Sequence, residues 1–76
     1  MQIDNLLQGY SRTIQWGISH GATYKEVKQG NELLHKFCES LIDGSSYSTS
    51  EKSSMKQRLD LLKETLNQEI ECTFTR

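Results

Sequence analysis

Two four-residue stretches, Thr23-Tyr24-Lys25-Glu26 and Ser48-Thr49-Ser50-Glu51, constrain what this chain can fold into more than any other feature of it. Each sets a hydroxyl residue three positions ahead of a glutamate and stands directly before a long helical run of apolar residues. The hydroxyl accepts from the backbone N–H three residues on, while the glutamate reaches back to the N–H of the capping residue. Two donors that a helix start leaves unpaired are thereby satisfied. Gly44 follows the first of these runs at the position of a C′ residue, where glycine enters the left-handed conformation without a Cβ penalty. The pair of boxes predicts a helical hairpin, residues 24–43 and 49–72, joined through the polar stretch from Gly44 to Ser50.

Ahead of the hairpin, Ile3, Leu6, Leu7, Tyr10, Ile14 and Ile18 recur at steps of three and four, the period of one helix face. Asp4 near its start suits the positive end of the helix dipole. This predicts a helix over 2–16, ended by Gly17 and Gly21 on either side of Ile18-Ser19-His20. The first hairpin helix carries Tyr24, Val27, Leu34, Phe37, Cys38, Leu41 and Ile42, interrupted by Gly30. A helix keeps such a glycine most readily where something packs closely on it. The second repeats Met55, Leu59, Leu62, Leu66 and Ile70 almost as a heptad seam, with Lys56, Asp60, Lys63, Glu64 and Gln68 opposite as a solvated face of weak i,i+4 pairs. The expected fold is all-α, one domain over 1–76: a short N-terminal helix and an antiparallel helical hairpin, three helices in all.

Seventy-six residues with 34% hydrophobic content make a thin core, because a domain of this size buries only roughly 60% of its unfolded surface. Disulfides, a metal or oligomerisation usually make up the deficit. Cys38 and Cys72 offer little, and a disulfide between them is not expected in a reducing compartment, so a homo-oligomer is expected. There is no apolar run of about 18 residues to span a bilayer, and Met1 to Asn5 lacks the basic and apolar regions of a signal peptide. A cytoplasmic protein without membrane partner is expected. The net charge of −1 disfavours DNA binding, which needs several phosphate neutralisations.

Catalytic patterns are lacking. The serines lie at caps and in the connector, where hydroxyls serve the backbone, and carboxylate pairs such as Asp60 and Glu64 sit on an exposed helix with nothing to raise a pKa. His20 and His35 are too far apart to form a helical metal pair. His35 and Cys38 make half a zinc site at most, and Cys38 reads better as a small buried hydrophobe. Neither metal nor cofactor is expected, and the chain reads as a non-enzyme. The remaining chemistry is a mixture of aromatic and basic side chains, Tyr10, Arg12, Trp16, His20, Tyr24, Lys25 and Lys28, suited to hold a flat ring and an anion. Two readings of Tyr10 stay open: a stacking ring, or a continuation of the apolar face of the first helix. Trp16 lies off that face, so an exposed or intersubunit position is expected for it.

The segments Thr23 to Val27, Glu32-Leu33-Leu34, Ser50-Glu51-Lys52-Ser53, Leu59 to Leu62 and Thr65 to Ile70 resemble the hairpin of small phage proteins, the anti-CBASS sponges, which share it with anti-Thoeris sponges. The resemblance covers about residues 23 to 71. It implies a helical oligomer, commonly a hexamer, that sequesters cyclic oligonucleotide messengers in the host cytoplasm and so keeps CBASS effectors inactive. In that family a cyclic dinucleotide is clamped between protomers by an aromatic on the N-terminal helix and a lysine near the start of the next. The resemblance thus implies Tyr10 and Lys25 as ligand-binding residues here, with Ser11 and Arg12 beside them, and the aromatic and basic mixture adds Tyr24 and Lys28 to the expected set. The chain departs from the family in having no proline, where many members carry His-Pro-Pro before the hairpin, and in Ser50 where an arginine is frequent. A helical adaptor that presents the Met55 to Ile70 seam to a host protein is the alternative.

Overall fold

The computed structural model describes residues 2–75, which form α1 (Ile3–Ser19), α2 (Tyr24–Asp43) and α3 (Thr49–Phe74), with no strand among them. Thr23 caps α2 with the full reciprocal box: its hydroxyl accepts from the Glu26 N–H at 3.1 Å, and Glu26 Oε1 accepts from the Thr23 N–H at 2.9 Å. At α3 the box is altered. Ser48 Oγ accepts from the Glu51 N–H at 3.2 Å, but the Glu51 carboxylate accepts from the Ser48 hydroxyl at 2.9 Å instead of reaching the backbone.

The C-terminal signals exchange roles. α1 runs through Gly17 to Ser19, three residues beyond the expected end, and closes in a Schellman motif: Ala22 N–H donates to Gly17 O at 3.0 Å and Gly21 N–H to Ile18 O at 3.4 Å. Gly21, at φ +86°, supplies the left-handed residue. Gly44 does not: it is right-handed, at φ −81°, and α2 instead ends where the Ser45 hydroxyl donates to Ile42 O at 2.6 Å. The negative end of α2 contains no basic residue of its own and is met by two lysines of α3. Lys52 Nζ donates to Asp43 O at 2.9 Å, and Lys56 Nζ lies 2.5 Å from the Asp43 carboxylate.

α3 sets the 42 Å long axis, since its 26 residues at about 1.5 Å each make roughly 39 Å. The seam is as the heptad spacing predicts: Leu59, Leu66 and Ile70 are buried and Met55 and Leu62 pack against them, opposite Val27, Cys38 and Ile42 of α2. It faces inward and forms the core, which rules out the alternative in which this seam engages a partner. The polar face of α3 is also more than a solvated stripe with local pairs. Lys63 reaches Glu32 at 3.1 Å, Asp60 reaches His35 at 2.7 Å and Glu71 reaches Lys28 at 3.3 Å, a ladder of cross-helix pairs that runs antiparallel along α2. α1 lies antiparallel to α2 and parallel to α3, tied to the latter by an ion pair between Asp4 and Arg58.

One polar contact joins all three helices. Asn31, fully buried in the apolar stripe of α2, donates from Nδ2 to Asn67 Oδ1 at 2.8 Å and to Lys63 O at 3.3 Å. Its Oδ1 accepts from the Tyr10 hydroxyl, which also donates to Asn31 O at 2.9 Å. No buried side-chain donor or acceptor among the described residues is left unpaired. A satisfied polar network of this kind fixes the register of the helices, because any slip leaves its members unpaired in a low dielectric.

Candidate ligand-binding face

The six residues expected to bind ligand do not share one place. Tyr10 is only 2% exposed, held between Ile14 and the α2 stripe and hydrogen-bonded to Asn31. Burial pushes its phenol well above the ordinary range. Its ring has no face open to a nucleobase in the folded chain, which corrects the stacking role and supports the core alternative. Ser11, half-buried, is seven residues after Asp4 and shares the flank of α1 turned toward α3.

Tyr24 and Lys28 do come together, at the far end of the hairpin, but around an acid. The Tyr24 hydroxyl donates to Glu71 at 2.5 Å, Lys28 pairs with the same carboxylate at 3.3 Å, and Lys28 Nζ stands 5.9 Å from the centre of the Tyr24 ring. The hydrogen bond from Tyr24, followed by Lys28, holds the Glu71 carboxyl below its usual range. A phosphate here meets a carboxylate that already has its cation. The Tyr24 ring packs edge-on against Phe74 at 5.8 Å, which gives Phe74 the internal partner that the sequence does not suggest. Lys25 is exposed and shares its flank of α2 with Glu32, on the side away from α1. Tyr10 and Lys25 therefore do not face one site within a chain.

Arg12 belongs to a different surface, the face where α1 and α2 lie side by side. Shallow grooves run along it. One, of about 210 Å³, lies between Ile14 and Gly17 of α1 and Val27, Gly30 and Leu34 of α2, with Trp16 at its edge. A second, of about 300 Å³, is formed by Arg12, Thr13 and Trp16 alone. Trp16 is 63% exposed, and one face of its indole is covered by the His20 ring, 4.1 Å away and inclined by 19°. His20 is held there by its Nδ1, 2.8 Å from Trp16 O. A carbonyl only accepts, so Nδ1 carries the proton. The other indole face is open, with Arg12 one turn earlier on the same side of α1.

The same face exposes a ridge on α2. Leu33, Phe37 and Leu41, four apart, are large apolar side chains left in solvent, Leu33 at 67% and Phe37 at 59% exposure. Small residues line the α1 side: a Cβ added at Gly9 meets nothing within 4 Å, and one added at Gly30 meets only Ile14 Cδ1 at 3.8 Å. Ile14 thus packs over Gly30 but leaves room for a methyl there.

The sequence gives a usable sign of the Arg12–Trp16–His20 arrangement, since the three stand four apart. It also gives a sign of Asn31, a polar residue placed four after Val27 within an apolar stripe. Cys38 is buried and Cys72 exposed, and neither is in a disulfide. Burial raises the Cys38 thiol pKa. No helix among the described residues is long and apolar enough to cross a membrane. Comparison of the chain with family models, with curated proteins and with solved structures gives no match.

Proposed function

We propose that this protein is a non-catalytic, self-associating sponge that binds cyclic oligonucleotide immune messengers, cyclic dinucleotides first among them, and so blocks CBASS signalling in the host cytoplasm. The observation that carries the reading is the open indole face of Trp16, backed by His20 and flanked by Arg12. An aromatic face stacks on a base for about 1–3 kcal/mol, and a guanidinium beside it gives a charge-assisted contact to phosphate. The resemblance of residues 23 to 71 to the anti-CBASS hairpin supplies the ligand class. Trp16 takes the stacking part first given to Tyr10, and Arg12 keeps its place in the site. Chains associate through Leu33, Phe37 and Leu41 as a dimer or hexamer, which supplies the apolar burial that a 76-residue monomer lacks.

The test is calorimetry against a panel of cyclic di- and trinucleotides, with the oligomer mass followed by light scattering. Trp16→Ala and Arg12→Ala are each expected to weaken binding at least about tenfold, from the loss of one stacking or one charge-assisted contact. Arg12→Ala alone lessens the salt dependence. Phe37→Glu is expected to lower the oligomer mass. Absence of binding tighter than about 10 μM by the intact oligomer overturns the sponge. A second reading then stands on the same ridge: an adaptor whose Leu33, Phe37 and Leu41 seat against a host protein.

A further inference from the structure

On the other side of α2 the hairpin gathers three metal-ligating side chains. His35 and Glu39 stand one turn apart on α2, Asp60 faces them from α3, and their donor atoms all lie within 4.8 Å of one another. His35 Nε2 is 2.7 Å from Asp60 Oδ1. Helix pairing explains that contact but leaves Glu39 over. Along this edge Glu32, Asp43 and Glu71 each have a lysine, Lys63, Lys56 and Lys28 in turn, whereas Glu39 enters no ion pair among the described residues. Lys56 feels the charge of both Glu39 and Asp60, yet its ammonium is held by Asp43 at 2.5 Å. An imidazole and two carboxylates thus converge with one lysine set to the side.

We propose that His35, Glu39 and Asp60 form a divalent metal site, for which zinc is the best-suited ion. One imidazole nitrogen with two carboxylates is a donor set zinc accepts, whereas magnesium and calcium favour oxygen alone. Zinc bonds of about 2.0–2.2 Å place tetrahedral ligands roughly 3.3–3.5 Å apart. The His35–Asp60 contact has to open by less than about 1 Å to admit the ion, and Asp60, exposed at its outer side, is free to make that movement. Water takes the fourth position from solvent. The ion replaces one proton-mediated contact by three bonds from two helices, cross-linking the middle of the hairpin. Cys38, the partner that the sequence places beside His35, is turned into the core and takes no part. The site is separate from the Trp16 face and does not depend on the sponge reading.

The experiment is a titration of the chelator-stripped full chain with zinc chloride, by calorimetry and by thermal melting, with cobalt(II) as a spectroscopic substitute. One zinc per chain is expected, with a micromolar Kd and a melting temperature raised by roughly 5 °C or more at a hundredfold excess over Kd. Glu39→Gln and Asp60→Asn each lower the affinity roughly tenfold or more. Glu39→Gln lowers the metal-free melting temperature only slightly, because Glu39 acts on Lys56 at a distance and forms no contact ion pair among the described residues, and Cys72→Ser leaves zinc binding unchanged. The cobalt spectrum contains no thiolate charge-transfer band. Absence of saturable binding up to about 1 mM zinc, affinity indifferent to both carboxylate variants, or a thiolate band that points to Cys72 each overturns the proposal.

Discussion

The two grooves of this small bundle are finished to different degrees. Between α2 and α3 the chain closes its own interface: Leu59, Leu66 and Ile70 are buried against Val27, Cys38 and Ile42, and a ladder of pairs from Lys28–Glu71 to Lys56–Asp43 lines the edge. Between α1 and α2 the floor is buried but the outer face is open, with Gly9, Gly30 and Thr13 in the groove and Trp16, Leu33 and Phe37 standing in solvent. A helix pair that only needs to fold ends as the first does. The second has apolar surface in excess of what its own chain covers, and in the proposed assembly a second molecule covers it.

The largest expected effect tests whether Tyr10 belongs to the fold. Tyr10→Ala removes a buried ring from the junction of three helices and is expected to destabilise by about 3–5 kcal/mol in denaturant unfolding. Tyr10→Phe keeps the ring but leaves Asn31 Oδ1 without its donor, at about 1–3 kcal/mol. The phenol pKa is raised in the fold, so its contribution is complete below the ordinary value of 10.0 and lost as pH rises further. Tyr10→Phe is therefore also expected to flatten the alkaline limb of the stability curve. Were Tyr10 a surface stacking residue, both variants would fall within about 0.5 kcal/mol of the wild type.

Acid tests the finished groove. Glu71, held by Tyr24 and Lys28, Glu32, held by Lys63, and Glu26, held by the Thr23 box, all have carboxyl pKa values below the ordinary 4.5. With folded values depressed, their stabilisation is complete above about 4.5 and is lost as pH falls through the lower values. Melting temperature is expected to be flat from neutrality toward that point and to drop below it. Lys63→Met, followed by circular dichroism, is expected to make the acid limb shallower.

A smaller effect of opposite sign tests the open groove. Gly30→Ala adds a methyl with ordinary contact to Ile14 and gains up to about 1 kcal/mol of helix propensity. The monomer is expected to melt higher, while the oligomer mass, where a neighbouring chain approaches this groove, is expected to fall. A gain in both places the contact between chains elsewhere.

The hairpin was almost wholly legible in the sequence, because capping chemistry and apolar period act locally: α2 begins and ends at the residues its box and stripe imply. The end of α1 was not. Gly17 and Gly21 are both admissible stops, and the choice rests on the Schellman bonds of Ala22 and Gly21, which bring the chain back over α1. Gly44 misleads for a related reason, since the lysines of α3, distant in sequence, satisfy the end of α2. The fate of Tyr10 is decided by Asn31 and Asn67, 21 and 36 residues from their respective partners, and a single helix pattern contains neither pairing. At the proposed site, the aromatic and basic mixture from Tyr10 to Lys28 includes Arg12, and the apolar period of α1 already places Trp16 off its buried face. The stack of His20 on the indole depends on side-chain rotamers that the spacing does not specify.

Trp16 is the only tryptophan of the chain, so its fluorescence reports directly on whether the open face receives a second molecule. The dilute protein is expected to show a solvent-exposed emission that is quenched in proportion to occupancy when a cyclic dinucleotide is added. The quenching curve moves at least about tenfold to higher ligand concentration in Arg12→Ala and keeps its midpoint in a Tyr10→Phe protein that is still folded. Ligand binding seen by calorimetry with no change in Trp16 emission, or quenching that survives Arg12→Ala at wild-type affinity, would contradict it.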